Sequence, residues 1–367
     1  MTSTEFQIIA ELCAASATIT AVICSYAPNV GRLMRVMDRP DGARKLHDKA
    51  TPLIGGLAIL IPTFAISFLY CLVASKPLML LAVVASAVAL IIGLIDDRAS
   101  LSANWRVVSL TAVIALLLIV DPLFILHTFV FKIFGWSASI SVPGALAAPL
   151  AMLMILGFVN AGNMADGMNG QLLGSVILWS AFIVHYLGAD ADLPFIILIC
   201  SALVALVFNL RGRLFSGSAG AYAATLFVGL GAIAAYRLSK GTMAAQMPVY
   251  WFWLPVIDCM RLMVTRVLDG KSPFAADRNH FHHMLLRHMR PRYALLVYLG
   301  LLAAPGVAAM VSEEAASITL LLGVCGYFAF VTAEQHHLKV AAGTSRASLH
   351  GIAGPVHAVG HQNSLAD

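Results

Sequence analysis

Charged side chains are scarce in this chain. Only 11% of its 367 residues are Asp, Glu, Lys or Arg, whereas an ordinary soluble domain is about one quarter charged. This scarcity excludes a soluble globular protein. Hydrophobic residues make up 60% of the chain, and a helix that crosses a bilayer needs about 20 mostly apolar residues. The composition therefore predicts an all-α, polytopic integral membrane protein with short loops.

Paired cysteines and a cleavable signal sequence are also missing. The six cysteines stand singly in apolar stretches, without the spacing of a metal site, so we interpret them as small core residues. The first apolar stretch contains Glu11 and has no Lys or Arg before Arg32, unlike a signal peptide. It predicts a retained first helix. The net charge of +5 reflects basic loops and does not imply nucleic-acid binding.

Apolar runs of suitable length predict eleven membrane spans. We place them near residues 6–28, 52–74, 77–95, 105–120, 146–160, 171–188, 193–209, 221–238, 247–267, 293–311 and 315–333. With this count, eighteen of the 23 Lys and Arg residues fall on one side, which the positive-inside rule makes cytoplasmic. Residues 121–145 are predicted as a loop or a re-entrant or interfacial piece. One transmembrane domain, 1–333, would precede a disordered cytoplasmic tail, 334–367.

The first polar cluster lies in the predicted cytoplasmic loop before the second span. It reads D-R-P-D-G-A-R-K-L-H-D-K-A-T-P-L-I-G-G and contains Lys45 and His47. A basic loop followed by a glycine pair for close helix packing explains part of this segment. The combination of His47 with two acids goes beyond that explanation, so both residues are candidates for function.

The next two clusters combine carboxylates with amides. The third span ends in G-L-I-D-D-R, which places Asp96 and Asp97 side by side at the predicted cytoplasmic end. Adjacent carboxylates repel each other and are costly near lipid. The following motif, N-A-G-N-M-A-D-G-M-N-G, repeats a polar residue every three positions at Asn160, Asn163, Asp166 and Asn169. That spacing puts all four on one helical face, which is more than a helix cap requires.

The last cluster, K-S-P-F-A-A-D-R-N-H-F-H-H, is rich in histidine. It contains Asp277, Arg278, His280, His282 and His283. Three histidines within four positions are rarely core packing, and beside an acid and cations they can bind a metal or a phosphate. Zinc would require an H-E-x-x-H motif or paired cysteines, which are absent from the sequence. Abundant Asp and Asn favour Mg²⁺ bound together with a phosphorylated substrate.

In this order and on one predicted membrane face, the four motifs resemble those of the polyprenyl-phosphate N-acetylhexosamine-1-phosphate transferases. The resemblance covers residues 38–286, about two thirds of the chain. The final motif is similar to the branch that uses UDP-N-acetylglucosamine or a related sugar. It is less similar to the peptidoglycan branch, in which three histidines are consecutive.

The resemblance implies a reaction in which a polyprenyl-phosphate oxygen attacks the sugar-bearing β-phosphorus of a UDP-sugar and UMP leaves. It implies a Mg²⁺-dependent transferase, with Mn²⁺ as a substitute, in the bacterial inner membrane. Its active site would face the cytoplasm and start the assembly of a surface polysaccharide such as O-antigen, or of a cell-wall glycan. UDP-N-acetylhexosamine and polyprenyl phosphate are the implied partners, and a homodimer stays open.

The resemblance also implies roles for individual residues. The catalytic group would be Asp96, Asp97, Asp166 and His280. The substrate-binding group would be Lys45, His47, Asn160, Asn163, Asn169, Asp277, Arg278, His282 and His283. The metal ligands would be Asp97 and the residue at position 218.

One motif departs from the family pattern. Where the family carries F-x-G-D-x-G-S, this chain reads F-S-G-S-A-G-A, so Ser218 replaces the metal-binding Asp and Ala221 replaces the Ser. An alternative function is therefore that of an impaired relative that binds lipid phosphate or nucleotide sugar as a partner. A transporter is a third hypothesis, because Asp258 and Arg261 lie within a span. Their i,i+3 spacing allows them to pair with each other, which weakens that reading.

Overall fold

The computed structural model describes residues 3–39, 50–187, 192–273 and 279–352, with side chains described as far as residue 337. Helices dominate this part of the chain. They are α1 (Ser3–Ser25), α2 (Ala27–Leu33), α3 (Gly55–Val73), α4 (Pro77–Ala99), α5 (Ala103–Val120), α6 (Gly144–Ala165), α7 (Gln171–Leu187), α8 (Leu193–Leu210), α9 (Gly217–Leu238), α10 (Met247–Leu268), α11 (Phe281–His288), α12 (Pro291–Ala308) and α13 (Glu313–Ile352).

Two small antiparallel sheets complete the regular structure of the described residues. The first pairs β1 (Met37–Asp38) with β2 (Thr51–Pro52), and the second pairs β3 (Thr128–Ile133) with β4 (Trp136–Ser141). A short 3-10 helix, Pro122–Phe124, precedes β3.

Eleven helices coincide with the eleven predicted spans. Within the described part of the chain, nine of them are long and apolar enough to cross a membrane: α1, α3, α4, α5, α6, α8, α9, α12 and the Glu313–His337 part of α13. Helix α7 has the same apolar character with 17 residues. Helix α10 has 22 residues and includes the charged Asp258, Arg261 and Arg266. The structure therefore confirms a polytopic, all-α membrane protein.

Within the segment 121–145, residues 128–141 form a β-hairpin, which the sequence analysis did not predict. Strands β3 and β4 pair from Thr128 opposite Ser141 to Ile133 opposite Trp136. Phe134 and Gly135 form the turn with positive φ angles, as a two-residue hairpin with a type I′ turn requires. Strand β4 alternates Trp136, Ala138 and Ile140 with serines, a strand pattern that the sequence analysis missed, whereas β3 is an apolar run without alternation.

The hairpin is attached to the chain that joins α9 and α10. The backbone N–H of Val130 donates to the Tyr236 hydroxyl at 2.8 Å, and the N–H of Ala245 donates to the carbonyl of Val130 at 2.8 Å. The hairpin thus lies beside the C-terminal end of α9. This contact places the α5–α6 and α9–α10 connections on the same face, as the predicted span count requires.

Helix α9 is the central helix of the bundle. Nearly every residue from Ala219 to Ala235 is buried, and the helix packs against α3, α4, α6 and α7. Glycines allow α3 and α4 to approach α9 closely. A Cβ at Gly56 would lie 2.1 Å from the Cα of Gly220, and a Cβ at Gly93 would lie 2.4 Å from the Cα of Ala219. Small residues allow helix backbones to approach closely within membranes. The contact brings the N-terminus of α9 against the C-terminus of α4.

Helix α13 continues past residue 334, where the sequence analysis expected a disordered tail. It remains helical to Ile352, and residues 353–367 lie outside the described part. Ala, Glu, Gln, Leu and Lys are strong helix formers and are frequent in this stretch. By its internal contacts the chain divides into Met1–Leu320 and Leu321–Asp367, and the predicted boundary at residue 333 is not a helix end.

The arrangement of spans gives a direct prediction of sidedness. A reporter fused after Lys271, which follows α10, should report the cytoplasm, and one fused after Asp192, which precedes α8, should report the outside. The physical reason is the concentration of Lys and Arg in the loop that follows α10. Paired phosphatase and fluorescent-protein fusions measure both positions. The same sidedness at both positions would contradict the eleven-span arrangement.

Candidate active site

A cavity of about 930 Å³ opens where the ends of α4, α6 and α9 meet. Its lining brings together seven residues that the sequence analysis singled out. They are Asp96, Asp97, Asn163, Asp166, Asn169, Ser218 and His283. These residues come from four motifs spread between positions 96 and 283, so the fold assembles one polar site from distant parts of the chain.

The first motif helps to hold the segment that leads into α9. Gly55 N–H donates to the carbonyl of Phe215 at 2.8 Å, and Gly56 N–H donates to that of Ser216 at 2.9 Å. In return, Phe215 N–H donates to the Pro52 carbonyl at 2.9 Å. The P-x-x-G-G sequence therefore has a structural role: it fixes the entry to α9 at the edge of the cavity.

Asp97 joins the C-terminal end of α4 to the first turn of α9. Its carboxylate accepts hydrogen bonds from the backbone N–H of Ser218 at 2.7 Å and from that of Ala219 at 3.1 Å. The first N–H groups of a helix have no partner within the helix and carry partial positive charge. Gly217 has a φ of +72°, and a Cβ there would lie 2.5 Å from the Asp97 carboxylate. The glycine thus leaves room for the carboxylate.

Asp96 has different partners from its neighbour. Its carboxylate accepts hydrogen bonds from the Tyr222 hydroxyl and from Leu101 N–H, both at 2.9 Å. The Arg106 Nε lies 3.8 Å away. A full positive charge therefore faces Asp96, whereas Asp97 faces only the partial charge of a helix terminus.

Asp166 follows α6 directly and lies near Asp97. Loss of solvation and the negative charge of Asp97 raise the pKa of Asp166 to about 7, although a hydrogen bond from Ser216 opposes this rise. Two carboxylates that repel each other at close range would be stabilised by a cation between them. Asn163 and Asn169 line the same cavity and add amide groups to it.

Asn209 supports the turn that carries these amides. The backbone N–H of Gly170 donates to the Asn209 side-chain oxygen at 2.5 Å, and the Asn209 amide donates to the Leu214 carbonyl at 2.9 Å. Gly170 has a φ of +86°, which glycine adopts at little cost. Asn209 was missed by the sequence analysis, and so were Arg106, Ser216 and Tyr222. A single Asn near the end of an apolar span was the available signal.

Three of the predicted residues do not appear in the described lining of the cavity. Asn160 donates to the carbonyl of Leu156 within α6 at 2.9 Å. His280 Nδ1 lies 2.9 Å from the Asp258 carboxylate. His282 is buried. These three side chains lie outside the lining, behind or beside the residues that form it.

Four other predicted residues lie outside the described part of the chain. They are Lys45, His47, Asp277 and Arg278. Their assignment as substrate-binding residues stays a prediction.

His282 occupies a space that only a glycine leaves open. A Cβ at Gly167 would lie 1.8 Å from the Nε2 of His282, so the Gly of the A-D-G sequence is required by this contact. Burial and the neighbouring His283 and His280 lower the pKa of His282 well below 6.5. His282 is therefore neutral at pH 7 and packs beneath the N-x-x-N-x-x-D-G turn.

Among the described residues, no three His, Cys, Asp or Glu side chains lie close enough to hold a metal ion alone. Ser218 lines the cavity beside Asp97. It presents a neutral hydroxyl at the position where the resemblance implies a carboxylate.

Comparison with known proteins shows which family the chain is similar to. Residues 79–236 match the model of glycosyl transferase family 4, and this range includes Asp96, Asp97, Asp166 and Ser218. The chain is therefore similar to glycosyl transferase family 4 over this range, and its curated relatives carry names of polyprenyl-phosphate N-acetylglucosamine-1-phosphate transferases.

Three relatives illustrate the similarity. The undecaprenyl-phosphate alpha-N-acetylglucosaminyl 1-phosphate transferase of Escherichia coli (strain K12) is 28% identical over 349 residues, covering 88% of this chain and 90% of that protein. A probable undecaprenyl-phosphate N-acetylglucosaminyl 1-phosphate transferase of Bacillus subtilis (strain 168) is 29% identical, covering 73% of each chain. The decaprenyl-phosphate N-acetylglucosaminephosphotransferase of Mycobacterium leprae (strain TN) is 27% identical, covering 70% of this chain and 72% of that protein.

The raised pKa of Asp166 predicts a pH dependence of stability. Because this pKa is about 7 in the folded protein and 3.8 ordinarily, the folded protein binds more protons than the unfolded chain between these values. The stabilisation is full below the lower value and is lost as the pH rises through the higher one. We expect the thermal midpoint, measured with a chelator present, to fall as the pH rises from about 4 to about 7. Asp166→Asn should reduce that fall, and an unchanged slope would contradict the shift.

Proposed function

We propose that this protein transfers N-acetylhexosamine 1-phosphate from a UDP-sugar to polyprenyl phosphate and releases UMP. The reaction would take place at the cytoplasmic face of a bacterial inner membrane and would start the assembly of a surface or cell-wall glycan. The observation that carries the proposal is the polar cavity at the N-terminus of α9, where Asp97 and Asp166 come together among membrane-spanning helices. The names of the relatives support the choice of substrates.

The cavity has the groups that this chemistry requires. Phosphoryl transfer depends mainly on alignment and on neutralising negative charge. Arg106 and His283 line the cavity together with the amides of Asn163 and Asn169, so cationic or hydrogen-bonding groups are available for a diphosphate. In the proposed reaction an oxygen of the lipid phosphate forms a bond to the β-phosphorus, the bond between this phosphorus and the bridging oxygen breaks, and UMP leaves with that oxygen.

The residues present fit a magnesium ion. Asp97 and Asp166 are two carboxylates close enough for one to raise the pKa of the other, and Mg²⁺ usually binds through one or two carboxylates, substrate phosphates and waters. Asp97 and Asp166 would hold the ion, with the Ser218 hydroxyl beside them. When bound, Mg²⁺ or Mn²⁺ would supply charge neutralisation for the diphosphate. The neutral Ser218 leaves this site with one negative charge fewer than the family motif implies.

That missing charge also supports a second candidate function. A relative that binds polyprenyl phosphate or a nucleotide sugar without turning it over would need the cavity but not the full set of metal ligands. Both functions predict that the protein binds its ligand, but only the transferase function predicts UMP release. Measuring binding and UMP release together therefore separates them.

The test uses purified protein with undecaprenyl phosphate, Mg²⁺ and a panel of UDP-sugars. The transferase function predicts UMP release that requires both the lipid phosphate and the divalent cation and stops when a chelator is added. Isothermal titration with each UDP-sugar is the companion measurement. Nucleotide-sugar binding without UMP release would favour the binding partner, and the absence of both would contradict the transferase and a partner that binds nucleotide sugar.

Asp97→Asn should nearly abolish UMP release. The change preserves the shape of the side chain but removes the negative charge that would face the cation. Asp121→Asn is the matched control, because Asp121 lies after α5 and accepts a hydrogen bond from Leu123 N–H at 2.9 Å, away from the cavity. A loss of only about 10-fold, equivalent to about 1.4 kcal/mol, would argue against a direct role for Asp97 in cation binding.

Ser218→Asp should lower the Mg²⁺ concentration needed for half-maximal UMP release. The added carboxylate restores the negative charge that the family motif implies and strengthens cation binding. The double change with Ala221→Ser should do at least as well. Ser218→Ala is the control, since it removes the hydroxyl without changing the charge. If Ser218→Asp leaves the Mg²⁺ dependence unchanged or weakens it, the two native carboxylates already complete the site.

A further inference from the structure

Asp258 is a buried carboxylate within α10 that takes no part in the cavity lining. It accepts hydrogen bonds from Arg261 Nη2 at 2.8 Å, His280 Nδ1 at 2.9 Å and Phe281 N–H at 3.1 Å. The Arg261 pair is the one that the i,i+3 spacing predicts. A buried carboxylate is expensive unless it is paired and hydrogen-bonded. The three donors supply that compensation, and two of them come from outside α10.

These bonds fix the beginning of α11. That helix starts at Phe281 and has no side-chain hydrogen bond at its own N-cap. Asp258 supplies the acceptor from another helix, in the position where a carboxylate also interacts favourably with the helix dipole. Arg261 adds a hydrogen bond from Nη2 to the Asn279 carbonyl at 2.5 Å. Residues 279–281 are thus attached to α10 by both members of one ion pair.

The histidine rings at the beginning of α11 lie next to one another, and the last of them reaches the cavity. His280 stacks on His282 with ring centres 5.3 Å apart and an angle of 10° between the rings. The rings of His282 and His283 are 4.2 Å apart. His283 and Leu286 of α11 line the cavity. The position of these two residues therefore depends on the attachment at Asp258.

We propose that Asp258 is a positioning residue that holds α11 through His280 and the Phe281 N–H, so that His283 faces the substrate. This proposal rests on the function proposed above and divides the three histidines by role. His280 anchors the helix through Nδ1, His282 packs against Gly167, and His283 is the member that meets the diphosphate. The resemblance assigned a catalytic role to His280. The geometry instead directs its ring toward Asp258.

Substitutions at position 280 separate an anchor from a chemical role. The amide nitrogen of Asn can occupy the place of a histidine Nδ1 and donate to Asp258, whereas Gln reaches the place of Nε2. We expect His280→Ala to lower kcat about 100-fold, the loss that a misplacement of about 1 Å can cause. His280→Asn should recover most of that loss, and His280→Gln should not. If His280→Asn is as impaired as His280→Ala and α11 stays attached, His280 has a chemical role and the proposal is wrong.

Limited trypsin digestion measures the attachment without relying on turnover. Arg287 is exposed on α11 and Lys240 is exposed in the α9–α10 connection at the opposite face, so cleavage after Lys240 serves as the internal control. Asp258→Asn should speed cleavage after Arg287 about 10-fold relative to cleavage after Lys240, the ratio that corresponds to about 1.4 kcal/mol. The double variant Asp258→Asn with His280→Ala should match the more impaired single variant, because both changes remove one link.

The outcomes distinguish this proposal from the proposed function. Unchanged cleavage after Arg287 in both Asp258→Asn and His280→Ala would overturn the positioning role, whatever the activity. If the parent protein releases no UMP, the transferase function fails, and the digestion experiment still decides whether Asp258 holds α11. Equal acceleration at Arg287 and Lys240 would mean general unfolding and would also contradict a local anchor.

Discussion

The contact between the Asp97 carboxylate and the first turn of α9 is the interaction on which the site depends. It joins the ends of two spanning helices, at 2.7 Å and 3.1 Å, and places negative charge beside free helix donors. The close packing of α4 on α9, with Gly93 against Ala219, makes this contact possible. Without it, the carboxylates of α4 and the turn after α6 would have no common cavity to line.

Among the described residues, a carboxylate of one helix contacts the N-terminus of another helix in two places. Asp97 reaches the N-terminus of α9, and Asp258 reaches the N-terminus of α11. In each case a carboxylate from one helix satisfies backbone donors of another that lacks a side-chain cap of its own. In a protein with 11% charged residues, buried acids are thus used to connect helices. The proposed reaction requires charged groups at fixed positions. The contacts of Asp97 and Asp258 with helix N-termini fix the positions of these groups through short aspartate side chains.

The spans could be predicted because a membrane helix needs a long apolar run, and the four motifs because polar clusters interrupt such runs. The β-hairpin was not predicted, because the alternation in its second strand covers only six residues and its first strand is an apolar run without alternation. Asn209 and Tyr222 were missed because one polar residue in an apolar helix carries little signal. The resemblance implied a catalytic role for His280, and the sequence alone does not show where its ring points. The contact between Asp258 and His280, which are 22 positions apart in the sequence, likewise depends on how the helices pack.

The central claim is that the cavity transfers the sugar together with its phosphate. The most direct measurement supplies a UDP-N-acetylhexosamine radiolabelled at the β-phosphorus, with undecaprenyl phosphate and Mg²⁺, and then separates lipid from water-soluble products. The account predicts that the label is recovered in the lipid fraction, with unlabelled UMP in the aqueous phase. Label released as UDP, or label retained entirely in the donor while the protein still binds it, would contradict the account.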